Sequence, residues 1–428
     1  MSNVILIWIL IGVFLLLTLL RVPVAFGLAS SSLLVLLLAD RGPIVLVQRM
    51  YASLEYYPLL AIPFFMLVGV LMSTGTSMER ILNISRAFIG HMKGSLAQIN
   101  VLVSMLFAGV SGTSTSDTAG IGSILIPAMK RSGYPAAFSV AITAASSTIG
   151  TIIPPSVLMV VFGSVANVSI AKLFLAGAIP GIMVGAAQMI YAYVLAKKYN
   201  WPSNERISWL EKLRSVREGA LPMMVPVIII GGIFGGFFTA TEAGAIAAVY
   251  SVCVGIYYKE ITAKNIGKIF EKAARILALP LFAIAASTVF GWLLSYLEAP
   301  TMISRFVLSI SDSPLVGLLF IFMIFFLVGC FIDGVPAIII FAPVAMSIAK
   351  AQGIPDLLIG IVVCMTASLG LITPPFGLCL LLATKIGEIP IIPAIKAVLP
   401  FIALFMLVVF LVILFPSIAT FLPGLLTS

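Results

Sequence analysis

A chain of 428 residues would ordinarily make two or three soluble domains, but 61% apolar residues, 9% charged residues and a mean hydropathy of +1.23 fit no soluble class. Soluble enzymology is excluded, and the net charge of +9 is scattered between apolar stretches rather than gathered into a nucleic-acid patch. At roughly 20 apolar residues per crossing the chain is an all-α polytopic membrane protein with about ten spans, and its unbroken apolar runs lack the alternation of an outer-membrane barrel.

In chain order, apolar stretches bounded by charge or Pro/Gly predict spans near 4–20, 22–39, 58–75, 135–163 and 173–197. The first has no basic leader and no small-residue cleavage site before Arg21, so it reads as a retained span. Lys197 to Gly219 is the one long hydrophilic segment and reads as a linker between halves of similar size. Beyond it, spans are predicted near 220–237, 243–258, 277–297, 356–384 and 396–415. Two more apolar stretches, 94–131 and 314–350, are interrupted midway, by Gly109-Val-Ser-Gly-Thr-Ser-Thr-Ser-Asp117 and by Gly329-Cys-Phe-Ile-Asp-Gly334. Each is one span or a re-entrant hairpin. As hairpins they leave ten crossings, and with both termini outside only Arg41, Arg49, Lys172, Arg305 and Lys350 of the 24 Lys and Arg fall outside. The expected organisation is scaffold spans and arm (1–93), hairpin, broken helix and following span (94–197), a cytoplasmic linker (198–219), then the same again (220–313 and 314–428).

The halves share their rarer residues. Gly150-Thr-Ile-Ile-Pro154-Pro155 matches Gly370-Leu-Ile-Thr-Pro374-Pro375 at an offset of 220, as do Gly133 with Gly353 and Pro180 with Pro400. Upstream, an offset of 216 pairs Asp117 with Asp333 and Pro127 with Pro343, which implies four extra residues in the second copy. An odd number of crossings between the copies predicts an inverted repeat, a transporter architecture.

A Gly followed by Pro-Pro inside a span removes helical hydrogen bonds and frees carbonyls at membrane depth. Those carbonyls need partners, and a bound cation or polar cargo supplies them; a plain proline kink is the competing explanation. Ser146-Ser147-Thr148 and Thr366-Ala-Ser368 add hydroxyls, a donor set suited to a hard cation such as sodium. The run Ser111-Gly112-Thr113-Ser114-Thr115-Ser116-Asp117 is too polar for lipid and reads as a hairpin tip, whose following helix directs its N-terminal dipole toward the midplane, where it suits a carboxylate. Asp117 and Asp333 fit two compatible roles, cation ligation and helix capping. Glu242 reads as a helix cap and His91 as an interfacial residue. Four cysteines inside apolar segments without CxxC spacing, and a single histidine, exclude disulfides, zinc and haem. No GxxxxGK[ST] loop is present, so gradient coupling is simpler than ATP hydrolysis.

With these residues in view the chain resembles, over essentially its whole length, the large membrane subunit of TRAP (tripartite ATP-independent periplasmic) transporters. The carriers are Tyr57-Pro-Leu-Leu-Ala-Ile-Pro-Phe-Phe65, the stretch from Ser111 to Lys130, Ala144 through Pro155, Thr239-Ala-Thr-Glu-Ala-Gly244 and Gly370 through Pro375. The resemblance implies an inverted-repeat, elevator-type carrier in the bacterial inner membrane that takes up an organic acid with sodium. It also implies two partners, a small membrane subunit and a soluble periplasmic substrate-binding protein. Matched motif by motif, one sodium site would take Ser111, Gly112, Thr113, Asp117 and Gly150, and a second Asp333, Gly334, Gly370 and Thr373. Ser114, Ser116, Ser147, Thr148 and Pro154 would face the cargo. The second tip lacks the hydroxyls of the first and would rely more on backbone oxygens. An ion channel, or another membrane-embedded protein with re-entrant loops, is the alternative; a channel would conduct faster and need no binding protein.

Overall fold

The computed structural model describes residues 2–73, 75–203 and 205–426. Met1, Thr427 and Ser428 at the chain ends, Thr74 in the span expected near 58–75 and Asn204 in the linker lie outside the described residues. The first half holds α1 (Asn3–Leu19), α2 (Val24–Leu38), the arm α3 (Ile44–Leu54), α4 (Ala61–Met72), α5 (Thr76–Ile89), α6 (Ser95–Ser111), α7 (Ser114–Arg131), α8 (Ala136–Ser147), α9 (Val157–Ala166) and α10 (Ile170–Tyr199). The linker carries α11 (Trp209–Glu218). The second half holds α12 (Ala220–Phe234), α13 (Ala240–Tyr257), α14 (Ile266–Tyr296), α15 (Ala299–Ile310), α16 (Pro314–Gly329), α17 (Gly334–Gln352), α18 (Asp356–Gly370), α19 (Leu378–Gly387), α20 (Ile391–Leu414) and α21 (Ser417–Leu426). No strand occurs among the described residues.

Local sequence sets the helix ends. Asn200 and Gly353 take left-handed conformations (φ 51° and 67°) just past α10 and α17, freeing the chain to turn. Glu242 is a helix cap as expected: Thr239 N donates to its Oε2 at 2.8 Å and Glu242 N donates to Thr239 Oγ1 at 3.2 Å, a capping box at the start of α13.

Five helices, α10, α13, α14, α17 and α20, are long and apolar enough to cross a membrane, and two bent pairs raise that to seven. One pair is α3 with residues 57–72, bent by 62°; the other is α11 with α12, bent by 63°. The ten spans expected from sequence include α1 and α2, of 17 and 15 residues, shorter than a full crossing needs. They also include 135–163 and 356–384, each of which the structure divides into two short helices at its Pro-Pro element. The chain is therefore a multi-pass all-helical protein whose broken spans, by their nature, escape a length criterion.

Both broken helices run through the interior. Phe138–Ile152 and Leu358–Ile372 are buried at every position, so these helices have no lipid-facing stripe. α4 packs on α13 and α2 on α14, which interlocks the halves. Ring contacts of Phe26 with Phe282 (4.9 Å) and Phe14 with Phe290 (5.6 Å) close the α1, α2 and α14 body. The arm α3 is pinned to the end of α14, where the Arg49 guanidinium stacks 3.8 Å above the Trp292 ring and Arg41 donates to the Tyr296 hydroxyl at 2.7 Å.

The helix starts give a second register for the internal alignment. α7 begins at Ser114 and α17 at Gly334; α8 begins at Ala136 and α18 at Asp356, an offset of 220 in both cases. The second tip, residues 330–333, is two residues longer than the first, 112–113, and α17 is one residue longer than α7, while Pro127 and Pro343 inside these helices keep the offset of 216. In this register Asp333 corresponds to Thr113, each preceding its helix, and Asp117 corresponds to Ala337. Counted from the helix starts the two aspartates are four residues out of register, and counted from Pro127 and Pro343 they coincide.

Candidate functional site at the hairpin tips

The two hairpins, α6/α7 and α16/α17, bring their tips against the two helix breaks. At the first, Val157 N donates to Gly112 O at 3.2 Å; at the second, Phe376 N donates to Cys330 O at 3.2 Å. Each break thus hands the N–H of a residue following its proline pair to a tip carbonyl, so tip and break form one unit. Gly112 makes this possible in the first copy: its φ of 61° is left-handed, and a Cβ there would collide with the Pro155 carbonyl.

Beside that junction Asp117 is fully buried. Ser111 Oγ donates to its Oδ1, while Oδ2 has no hydrogen-bond partner. Oδ2 lies where a Cβ on Gly150 would stand, so the carboxylate rests directly on the backbone of the break. Ser111, Gly112, Thr113, Asp117 and Gly150 are therefore together, as expected. The set offers only oxygens, with one carboxylate and an orphaned buried acceptor, which fits a hard monovalent cation. No cluster of three or more His, Cys, Asp or Glu suited to a metal occurs among the described residues.

The second set is arranged differently. Asp333 caps α17, its Oδ1 accepting from Gly334 N at 2.7 Å. Gly370 meets the backbone of Gly329 at a distance that leaves no room for a side chain on either. The Thr373 hydroxyl donates to Leu369 O at 2.8 Å, leaving its oxygen as an acceptor. Asp333 does not sit on the Gly370 backbone as Asp117 sits on Gly150; it faces the space between the two tips.

That space is a chamber of about 70 Å³ lined by Thr113, Ser114, Thr115, Thr151, Asp333 and Leu371 among others. Ser114 Oγ lies 3.1 Å from Thr151 Oγ1, which lies 2.7 Å from Ser368 Oγ, so a hydroxyl chain links the first tip, the first break and the helix ahead of the second break. Of the residues expected to face cargo, Ser114 lines this chamber. Ser116 lines a neighbouring cleft of about 410 Å³ with Ser73, Thr115 and Lys272. Ser147 and Thr148 donate to Thr143 O (2.7 Å) and Ala145 O (2.6 Å) and so turn back onto α8. Pro154 is buried, with its carbonyl toward Gly109.

The residue missed from sequence is Thr115. It lines the central chamber, the Lys272 cleft and a third cavity of about 370 Å³ against the second tip. Thr151 was also missed, whereas Ser368 is among the hydroxyls read from the sequence beside the second break. Thr151 lay in view inside the Gly-Thr-Ile-Ile-Pro-Pro motif, and its polarity at a position matched by Leu371 was the available signal.

Comparison with known proteins fits this geometry. Residues 11–418 match the family model described as tripartite ATP-independent periplasmic transporter, DctM component. The sialic acid TRAP transporter large permease SiaM of Vibrio cholerae is 36% identical over 405 residues, covering 94% of this chain and 95% of that one. The C4-dicarboxylate TRAP transporter large permease DctM of Pseudomonas aeruginosa is 36% identical over 396 residues, covering 92% and 93%. The crystal structure of the Alcanivorax borkumensis YdaH transporter shares the fold, with a TM-score of 0.58, 16% identity and 87% of each chain covered. The chain belongs to the DctM-component family of tripartite ATP-independent periplasmic transporters, a family of membrane permeases rather than enzymes.

Proposed function

We propose that this chain is the large membrane subunit of a sodium-coupled carrier that takes up an organic acid across the bacterial inner membrane. In this reading ten crossings form two inverted repeats, a small membrane subunit flanks the scaffold, and a soluble periplasmic binding protein delivers the cargo. The hairpins and broken helices form the moving unit of an elevator, and the remaining spans with their arms form its fixed frame. The observation that carries the reading is the buried Asp117 carboxylate, held by Ser111 on one oxygen and unpartnered on the other, beside a hydroxyl-lined chamber shared by both tips.

A fully buried carboxylate with an orphaned oxygen is costly, by several kcal/mol when ionised without compensation. Ser111, Asp117 and the Gly150 backbone would hold sodium, whose charge offsets that cost. Ser111 orients the carboxylate, and Ser114 and Thr151 order the chamber wall. Thr113, at the N-terminus of α7, leaves its Oγ1 buried without a partner next to the chamber, where a cargo carboxylate would find both a hydroxyl and the helix dipole.

Two clefts support a carrier with alternate openings. The cleft with Lys272, which the distribution of basic residues assigns to the cytoplasm, shares Thr115 with the central chamber. A cleft of about 400 Å³ lined by Arg49 and Trp292 shares no lining residue with it. This unequal relation of the two clefts to the chamber supports the carrier reading over a channel. The test is uptake by proteoliposomes containing both membrane subunits, with acids supplied by the cognate binding protein and an inward sodium gradient. Uptake that persists unchanged when sodium is replaced by potassium on both sides would defeat the sodium reading.

A further inference from the structure

We propose that the cargo is an organic acid with one carboxylate and a hydrocarbon body, and that dicarboxylates and polyhydroxylated acids are poor ligands of this chain. The inference rests on the organic-acid reading above and narrows it.

The central chamber is small and polar at the first tip. It adjoins a cavity of about 370 Å³, with Thr115, Pro280, Asp333 and Leu371 lining both. Away from that shared wall the larger cavity is apolar, with Leu279, Phe331, Ile332, Phe376 and Leu378 on its walls. Among the described residues no Lys, Arg or His lines either space, and the one ionisable wall group is Asp333. The polar end can satisfy one carboxylate, through the α7 N-terminus and the unpartnered Thr113 hydroxyl. A second carboxylate extending into the larger cavity would meet apolar side chains and the Asp333 carboxyl, with no cationic side chain to offset its desolvation. A polyol would leave its hydroxyls without partners, a penalty that hydrocarbon avoids. Aliphatic or aromatic carbon against Phe376 and Leu378 instead removes apolar surface from water on both partners.

Lys272 supplies the rival arrangement. It lies in the separate cleft that also reaches Thr115, so a dicarboxylate bridging from the first tip toward Lys272 would avoid the apolar cavity altogether.

Binding measured directly on the purified membrane complex, without the binding protein, separates these arrangements. The measurement is thermal stabilisation in sodium against 4-methylpentanoate, phenylacetate, succinate and N-acetylneuraminate. The monoacids are expected to half-saturate at concentrations about tenfold or more below the other two. Phe376→Ser is expected to weaken monoacid binding about tenfold while leaving stabilisation by sodium alone unchanged. Leu378→Ser, on the same wall, should act in the same direction, and Lys272→Gln should change neither. Equal or tighter binding of succinate or N-acetylneuraminate, or loss of binding in Lys272→Gln with none in the two wall variants, overturns the proposal. If no acid of any class stabilises a complex that responds to sodium, the organic-acid reading itself fails.

Discussion

The backbone of Gly150 lies directly against the unpartnered oxygen of Asp117, so that a side chain on this glycine would occupy the place of Oδ2. Two residues 33 positions apart thereby define a single nook, one giving charge and the other close-approaching backbone. Gly150→Ala is expected to push the carboxylate off the break and abolish sodium-dependent uptake, with the protein still present in the membrane. Gly12, around which nothing lies within 4 Å, gives the control: Gly12→Ala should leave uptake intact. Normal sodium titration curves for Gly150→Ala would remove the nook from the mechanism.

Asp117 and Asp333 should respond differently to loss of charge. Asn at 117 keeps an acceptor for the Ser111 hydroxyl but cannot balance a cation, so the half-saturating sodium concentration should rise about tenfold or more, roughly 1.4 kcal/mol. Asn at 333 keeps the acceptor for Gly334 N and preserves the cap, and its carboxylate faces cargo space rather than the Gly370 backbone. Asp333→Asn should therefore shift sodium affinity less than Asp117→Asn. Wild-type sodium curves from both variants would defeat the ligand assignment.

The parts of this site legible in sequence were those marked by backbone chemistry. Gly150, the Pro-Pro pairs and the polar run from Ser111 to Asp117 announce irregular structure that at membrane depth must be buried in protein or line a cavity, since lipid cannot satisfy its backbone. Side-chain direction was not legible. Ser147 and Thr148 are as polar as Ser114, yet they satisfy themselves on α8 carbonyls one turn back, as Ser and Thr readily do in helices. Thr115 differs from Ser114 and Ser116, which each line one cavity, in lining all three. Identity matching pairs Asp117 with Asp333, whereas the helix starts pair Asp333 with Thr113, four residues out of that register. Identity matching cannot see that one aspartate precedes its helix and the other lies inside it.

The division of basic residues makes a separate prediction about orientation. Ser203→Cys, in the linker, is expected to react with an impermeant thiol reagent only after the cells are permeabilised, and Ser428→Cys to react in intact cells. The reverse pattern would invert the topology and exchange the faces reached by the Lys272 and Arg49 clefts.

The linker itself joins the two proposed bodies. Pro202 O accepts from both Gly94 N (3.2 Å) and Ser95 N (3.3 Å), capping α6, and Trp201 packs on Tyr134 and Phe138 at 4.6 and 4.5 Å. That end is fixed to the first hairpin and broken helix. The other end is α11, which packs on α5, with Arg80 donating to Glu218 O at 2.5 Å, and its Ser208–Glu211 capping box gives it a defined start. Only residues 203–207 lie between, and fully extended they reach about 17 Å. If the hairpin unit travels relative to α5 and α11, this segment limits the travel. Deleting residues 204–206 removes about 10 Å of reach and leaves both anchors in place. Uptake should then fall sharply while binding of sodium and cargo to the membrane complex is retained, because the deletion restricts movement and leaves the site intact. Replacing the same three residues with Gly-Ser-Gly keeps the reach and should preserve uptake, which separates length from sequence. Full uptake by the deletion variant would mean that α11 moves with the hairpins, and the boundary between moving and fixed bodies would have to be redrawn on its far side.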